Sequence, residues 1–222
     1  MKRFFFLPTT VSWLLFLILI YAWMKWSFGH ALLWSVLCFI VALITRRTSV
    51  PYRDTLKNDG EIYLSPVFGE VKSIRRNVQL PHIPGDGQEI RIAISGWSEK
   101  GLYLPTAGEV SHLRATKGVK IPRDAESVAF YRPMDDVAHT DFVLTSKNKA
   151  QTLMRFVDSK YGKRPTIWLK SGDRGRGAAC FGYYPFGGTL LIYLPNNSDI
   201  LVFEKEFVVP GQTVIAALKD TK

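Results

Sequence analysis

Two different hydrophobic patterns divide the chain. Near the N-terminus, residues 4–24 and 31–44 are almost continuously apolar, and a short polar stretch containing Lys25 separates them. The first run has about the twenty residues that a helix needs to cross a bilayer, whereas the second is short and would span with local thinning or re-enter. The pattern predicts a membrane anchor over residues 1–47, in the form of a helical hairpin.

Beyond this segment the pattern is typical of β-strands. A polar linker at 48–60, with a proline and an Asn-Asp-Gly turn signal, precedes a series of β-branched and aromatic runs punctuated by glycine and proline. These runs lie at 61–74, 88–95, 100–113, 127–131, 141–146, 166–172, 188–195, 199–211 and 213–218. We expect a mainly β domain at 61–218, sandwich-like or barrel-like, with one or two short helices, one of them at 147–162.

The charge distribution favours an anionic lipid surface over nucleic acid. The net charge is +10, and residues 1–47 contribute +5 through Lys2, Arg3, Lys25, Arg46 and Arg47, with no acidic residue. Basic residues that flank an apolar segment favour anionic lipid and predict that both ends of the hairpin lie in the cytoplasm. No nucleic-acid-binding motif is present, although a mildly basic soluble domain remains an alternative. A secretory signal peptide is a second alternative, which the missing small-residue cleavage site disfavours.

Cysteine and histidine usage predicts neither a disulfide nor a metal site. Cys38 lies in the apolar segment and Cys180 in the β-rich part, so a bridge between them is not expected. The four histidines are scattered singly rather than at ligand spacing, at His30, His82, His112 and His139. A zinc hydrolase is therefore disfavoured, and so is a carrier domain, because Lys147 and Lys149 are better interpreted as solvated charges than as a modified lysine.

Four motifs occur in the order found in one enzyme family. They are the turn Ser65-Pro66-Val67-Phe68-Gly69 within 58–71, the turn Pro105-Thr106-Ala107-Gly108 within 90–110, the glycine-rich stretch 167–195, and the closing strand 209–216. Together they resemble bacterial phosphatidylserine decarboxylases, particularly the short form with two membrane spans, over most of residues 1–218. The resemblance implies that family's β fold and a location at the bacterial inner membrane, with the β domain on the cytoplasmic side.

The resemblance also identifies what is missing. Members of the family make their own pyruvoyl cofactor: a serine after a glycine attacks the preceding carbonyl, and the resulting ester breaks by elimination. The matching position here is Gly188 in Phe186-Gly187-Gly188-Thr189, and glycine has neither the hydroxyl nor the β-carbon of the pyruvoyl group. The assisting aspartate and histidine of the family correspond to Phe68 and Lys100. We therefore expect no pyruvoyl group and no other cofactor.

Three functions remain in competition at this point. The degenerate site predicts a catalytically inactive, lipid-binding or scaffold protein of phospholipid metabolism. Its expected partners are anionic membrane phospholipid, with phosphatidylserine as one candidate, and a further copy of the chain or an active family member, but no nucleic acid. The main alternative is an active decarboxylase, converting phosphatidylserine to phosphatidylethanolamine after non-standard self-cleavage at 187–189, in which the Thr189 hydroxyl would leave a ketobutyryl end. The third hypothesis is a carrier domain or a peptidoglycan hydrolase.

Overall fold

The chain divides into two compact units, Met1–Ser49 and Val50–Lys222. The computed structural model describes the backbone at 17–18, 20–21, 23, 28–45, 62–81, 83, 85–94, 99–120, 136–158, 164–185 and 187–218. The predicted linker at 48–60, the predicted strand at 127–131 and most of the apolar run 4–24 lie outside these residues.

The first unit contains helix α1, Phe28–Thr45, which includes the second apolar run. None of the helices among the described residues combines the length and the apolar character needed for a membrane span. The 18 residues of α1 extend about 27 Å, slightly less than the roughly 30 Å of a hydrocarbon core. The predicted N-terminal membrane hairpin is therefore wrong for the structure described here.

The second unit confirms the expected β-rich domain. Its described residues form fourteen strands, which in chain order are β1 Ile62–Leu64, β2 Gly69–Gln79, β3 Asp86–Ile94, β4 Gly101–Tyr103, β5 Gly108–Thr116, β6 His139–Ser146, β7 Gln151–Val157, β8 Thr166–Ile167, β9 Arg174–Gly175, β10 Cys180–Tyr183, β11 Gly188–Pro195, β12 Ser198–Ile200, β13 Phe207–Val208 and β14 Val214–Leu218. Eight of them form one sheet in the order β13-β2-β3-β11-β7-β6-β5-β9. Two three-stranded sheets, β1-β14-β12 and β4-β10-β8, complete the domain.

The large sheet buries side chains on both of its faces. On one face, Ile92, Phe156 and Ile192 belong to the main core, to which the small sheets contribute Tyr63 and Ile215. On the other face a smaller apolar cluster forms from alternate residues of the same strands, including Leu153, Val157, Leu191 and Tyr193. The small sheets therefore pack on the first face, as expected for layered β architecture.

The helix predicted at 147–162 is wrong, because Gln151–Val157 is strand β7 in the middle of the large sheet. A strand covered on both faces has no polar-apolar alternation, and a continuous apolar run cannot be distinguished from a buried helix by its period. Leu153 and Met154 illustrate this, since they are adjacent in sequence and belong to opposite faces. The described residues of the second unit contain no α-helix.

Candidate functional site

Two glycines on either side of β3 bring distant motifs to one end of the large sheet. Gly69 of β2 and Gly188 of β11 are both paired with Ile94 of β3, one from each side. Neighbouring strands are about 4.8 Å apart, so the two glycines lie about 10 Å from each other. Phe68, at the family's aspartate position, directly precedes Gly69 and is half-buried.

Backbone contacts hold the turn before Gly69 in place. The buried Ser65 donates its amide to the Thr213 carbonyl at 2.8 Å and its hydroxyl to the Val67 carbonyl at 2.8 Å. A Cβ on Gly69 would overlap with the Ala93 carbonyl, so β2 can approach β3 only with glycine at this position. The Ser-Pro-x-x-Gly motif is thus explained by packing, whatever chemistry takes place beside it.

Lys100, at the family's histidine position, reaches the same region through Tyr184. It is 5% exposed and directly precedes β4. The Lys100 carbonyl accepts a hydrogen bond from the Tyr184 amide at 2.8 Å, and Tyr184 in turn lies against Gly188. The structure therefore brings Phe68, Lys100 and Gly188 to the same end of the domain, although they are far apart in sequence.

Tyr184 occupies the space that a side chain at position 188 would need. Its side chain is fully buried, and its hydroxyl donates to the Val157 carbonyl at 2.5 Å. Its ring meets Phe156 edge-on, at 6.1 Å between centroids and 86° between planes. A Cβ built on Gly188 would overlap with the Tyr184 ring and hydroxyl. A serine at position 188 could not be accommodated without movement of Tyr184. Sequence analysis did not identify Tyr184.

Thr189, the alternative nucleophile, lies on the other face of the sheet. Successive side chains of a strand point to opposite faces, and Leu190 and Leu191 belong to the two opposite core clusters. Thr189 therefore points to the Leu191 side, away from the Gly188 position and from Tyr184. Using Thr189 in place of a serine at 188 would require the hydroxyl to act from the wrong side of the sheet.

Strand β7 separates Thr189 from His139, the histidine that lies at the same level of the large sheet. Thr189 pairs with Val157, and Val157 pairs with His139, so Thr189 and His139 are two strand spacings apart, or about 10 Å. Such a separation exceeds the roughly 3 Å that direct proton transfer requires. The other histidine described on this part of the sheet, His112, is exposed on β5.

An acidic group that sequence analysis also missed lies beside Gly188. Asp158 follows Val157, the strand partner of Thr189, so continuing the register places it next to Gly188. Its side chain is completely buried, and one carboxylate oxygen accepts from Arg164 Nε at 2.8 Å. The other oxygen, Oδ1, has no hydrogen-bond partner among the described residues. No local pattern could have indicated this position, because 147–162 resembled a helix.

A second ionic cluster lies on the paired strands β6 and β7, on the face of the large sheet that carries Thr189. Arg155 binds Asp141 through two hydrogen bonds, at 2.7 and 2.8 Å, and both side chains are 1% exposed. His139 Nε2 lies 3.5 Å from the same carboxylate. Burial alone raises the pKa of Asp141, but the hydrogen bonds and charges of Arg155 and His139 outweigh it and lower the pKa to about 2. This cluster is best explained as a structural element within the sheet.

The described residues contain no group of three or more histidine, cysteine, aspartate or glutamate side chains placed to hold a metal ion. Cys38 and Cys180 are both free thiols. His82 lies outside the described residues.

The fold and the site together define a layered antiparallel β domain in which several loop positions meet at one end of its main sheet. Comparison with known proteins identifies the relationship. The chain is 24% identical over 187 residues to the phosphatidylserine decarboxylase proenzyme of Desulfotalea psychrophila, covering 83% of this chain and 85% of that protein. It is 26% identical over 191 residues to that of Symbiobacterium thermophilum, covering 86% of each. With the corresponding protein of Parabacteroides distasonis the identity is 22% over 186 residues, covering 83% and 80%.

No family model matches the chain. The pairwise similarities nonetheless extend over most of its length, and they confirm the resemblance inferred from the four motifs. Over most of its length, the chain is similar to phosphatidylserine decarboxylase proenzymes.

Proposed function

We propose that this protein is a non-catalytic relative of the phosphatidylserine decarboxylases that binds anionic phospholipid, or serves as a scaffold in phospholipid metabolism. One observation carries the proposal: the position that matches the self-cleaving serine is Gly188, and the space for a side chain there is filled by Tyr184. The substitution and the packing around it are mutually consistent, as expected for a chain that has adapted to the loss of this serine.

The chemistry of self-processing explains why Gly188 is decisive. Pyruvoyl formation needs a hydroxyl that attacks the preceding carbonyl and a β-carbon that remains after elimination, and glycine supplies neither. The assisting groups are replaced as well, since Phe68 has no titratable group and Lys100 is buried beside Tyr184. The nearby Asp158 carboxylate forms an ion pair with Arg164, and Gly188 offers no hydroxyl that Asp158 could deprotonate.

The intact mass of the purified full-length protein tests this proposal directly. We expect a single uncleaved chain of 25.2 kDa and no release of phosphatidylethanolamine from labelled phosphatidylserine. A chain split within 187–189, or turnover of the labelled lipid, would show that the protein is a working decarboxylase and would overturn the proposal.

Restoring the family's residues tests the register. Gly188→Ser combined with Phe68→Asp and Lys100→His should remain uncleaved, because Tyr184 still occupies the serine position. Adding Tyr184→Leu should permit cleavage between residues 187 and 188, seen as two fragments by mass spectrometry. Thr189→Ser is the matched control, because it places a serine one residue away on the opposite face of the sheet. It should give no cleavage, whether the chain carries Tyr184 or Tyr184→Leu. Cleavage of the Thr189→Ser control would disprove the register.

The expected partners follow from the same relationship. The relatives are named for a phospholipid substrate, and the chain carries a net charge of +10, which favours anionic over neutral lipid surfaces. A scaffold role would involve a second copy of the chain or an active decarboxylase at the membrane surface. Sedimentation with anionic and with neutral vesicles tests the lipid part, and equal binding to both would exclude specificity for anionic lipid.

A further inference from the structure

A basic groove lies at the far end of the large sheet from Gly188. Its volume is about 970 Å³, within the range of ligand sites in proteins. The groove is formed where β5 and β9 begin and β6 ends, and it is lined by Gly108, Glu109, Thr145, Lys147, Arg174 and Arg176, among others. His139 and Ser146 mark the two ends of β6, so the groove and the Gly188 region are separated by about 20 Å along the sheet.

Two glycines, Gly108 and Gly175, are among the residues that line the groove. Gly108 pairs with Ser146 on one side and with Gly175 on the other. A Cβ on Gly108 would lie 2.5 Å from the Thr145 carbonyl oxygen, and one on Gly175 would overlap with the Leu104 side chain. Because these positions carry no side chains, the strands that line the groove can approach one another closely.

The cations around the groove are only partly neutralised. Arg174 is 84% exposed and donates from Nε to Glu109 at 2.8 Å. Lys147 and Arg176 are exposed, and neither forms an ion pair with another described residue. An exposed ion pair such as that of Arg174 contributes little to stability, so stability alone does not explain this concentration of positive charge.

A turn that carries both Lys170 and Asp173 is tied to the same strand. Gly172 donates its amide to the Val110 carbonyl at 2.7 Å, and the Val110 amide donates to the Asp173 carbonyl at 2.9 Å. This fixes the turn that carries the exposed Lys170 beside the start of β5. Trp168, two residues before Lys170, is 40% exposed.

From this arrangement we propose that the groove is a docking surface for an anionic phospholipid bilayer, with lipid phosphates bound by Lys147, Arg174 and Arg176. Guanidinium groups bind phosphate oxygens through two parallel hydrogen bonds, and basic clusters are attracted to anionic lipid surfaces. Exposed tryptophan prefers the bilayer interface, which favours a membrane over a soluble anion. The inference rests on the proposed lipid-binding function and locates it on the β domain.

The test compares two full-length variants that lose the same charge. Lys147→Gln/Arg174→Gln/Arg176→Gln removes the groove cations, and Arg114→Gln/Lys117→Gln/Lys120→Gln removes three exposed cations from the other end of β5. Both variants and the wild type keep residues 1–49, so any contribution of that segment is common to all three proteins. Flotation with phosphatidylcholine vesicles containing increasing phosphatidylglycerol measures the dependence on anionic lipid.

We expect the groove variant to lose roughly tenfold or more of its affinity for anionic vesicles, and the control variant to stay within about threefold of wild type. An environment-sensitive dye at Ser171→Cys, in a chain lacking Cys38 and Cys180, provides a local readout. Its emission should shift to the blue with anionic vesicles only when the groove cations are intact.

The outcomes separate the two proposals. If the wild type does not respond to phosphatidylglycerol, the lipid-binding function fails; if it responds but the groove variant responds equally, only the groove assignment fails. Groove-dependent binding of inorganic phosphate, together with vesicle binding that is the same for the groove variant and the control variant, would show that the site takes a soluble anion and would overturn the bilayer assignment. So would a groove-dependent affinity for single-stranded DNA equal to that for anionic vesicles.

Discussion

Replacing Arg155 with leucine is expected to lower the free energy of unfolding by about 3–5 kcal/mol, because it removes the guanidinium that makes two hydrogen bonds to the buried Asp141 carboxylate. Both side chains are 1% exposed and share two short hydrogen bonds in the middle of the large sheet. Guanidinium chloride unfolding of the full-length protein, followed by circular dichroism, measures the loss.

Arg174→Leu is the matched control for this substitution. It removes a guanidinium whose Nε lies 2.8 Å from the Glu109 carboxylate, a distance similar to the 2.7 Å of the buried pair, but at a site where Arg174 is 84% exposed. Solvent screening limits the expected cost to about 1 kcal/mol or less. The double variant Arg155→Leu/Asp141→Leu should recover part of the stability lost by Arg155→Leu alone, because no buried charge remains unpaired. Equal losses for Arg155→Leu and Arg174→Leu would contradict the structural role assigned to the buried pair.

The same pair predicts a pH dependence of stability. The pKa of Asp141 is about 2 in the folded protein and close to 3.8 when unfolded, so its contribution is fully present above about pH 4. The contribution is lost as the pH falls from about 4 through 2, where the folded protein also takes up the proton. A difference of this size corresponds to about 2 kcal/mol. Comparing wild type with Asp141→Asn isolates the effect from other carboxylates, and the difference between the two proteins should shrink over this pH range.

The second large effect is expected at the degenerate cleavage position itself. Gly188→Ala should lower the free energy of unfolding by about 1–3 kcal/mol, because the new Cβ overlaps with the Tyr184 ring. Backbone strain does not contribute, since Gly188 is not among the glycines with positive φ. The cost should therefore come from packing alone.

A double-mutant cycle with Tyr184→Leu tests this explanation. Gly188→Ala should cost less in the Tyr184→Leu background, with a coupling energy of about 1–2 kcal/mol. Gly69→Ala serves as the control, because its Cβ would overlap with the Ala93 carbonyl and removing Tyr184 does not relieve that overlap. Gly69→Ala should cost the same in both backgrounds. Absence of coupling between positions 184 and 188 would remove the packing argument for an adapted, inactive site.

Sequence patterns predicted the β-rich domain well where strands are short and bounded by turn residues. The run at 188–195 corresponds to β11, and the runs at 141–146 and 213–218 match β6 and β14 closely. The four motifs gave the family relationship, which the comparisons confirm. These successes depend on local information: β-branched residues, glycine and proline, and short motifs at fixed spacing.

The same local reasoning failed where neighbouring elements decide the outcome. The run at 147–162 was predicted to be a helix, but its residues 151–157 are covered on both faces of the large sheet, and pairing with β6 and β11 makes them a central strand. The N-terminal apolar runs predicted a membrane hairpin from length and hydropathy. None of the described helices qualifies as a membrane span.

By itself, the sequence determined that the family's serine, aspartate and histidine positions hold Gly188, Phe68 and Lys100, because residue identity at a matched motif needs no coordinates. Only the tertiary structure decided what surrounds them. Tyr184 fills the side-chain space at Gly188, and Thr189 points to the opposite face of the sheet. Such relationships arise from the register of strands that are distant in sequence, and a local pattern carries no information about that register.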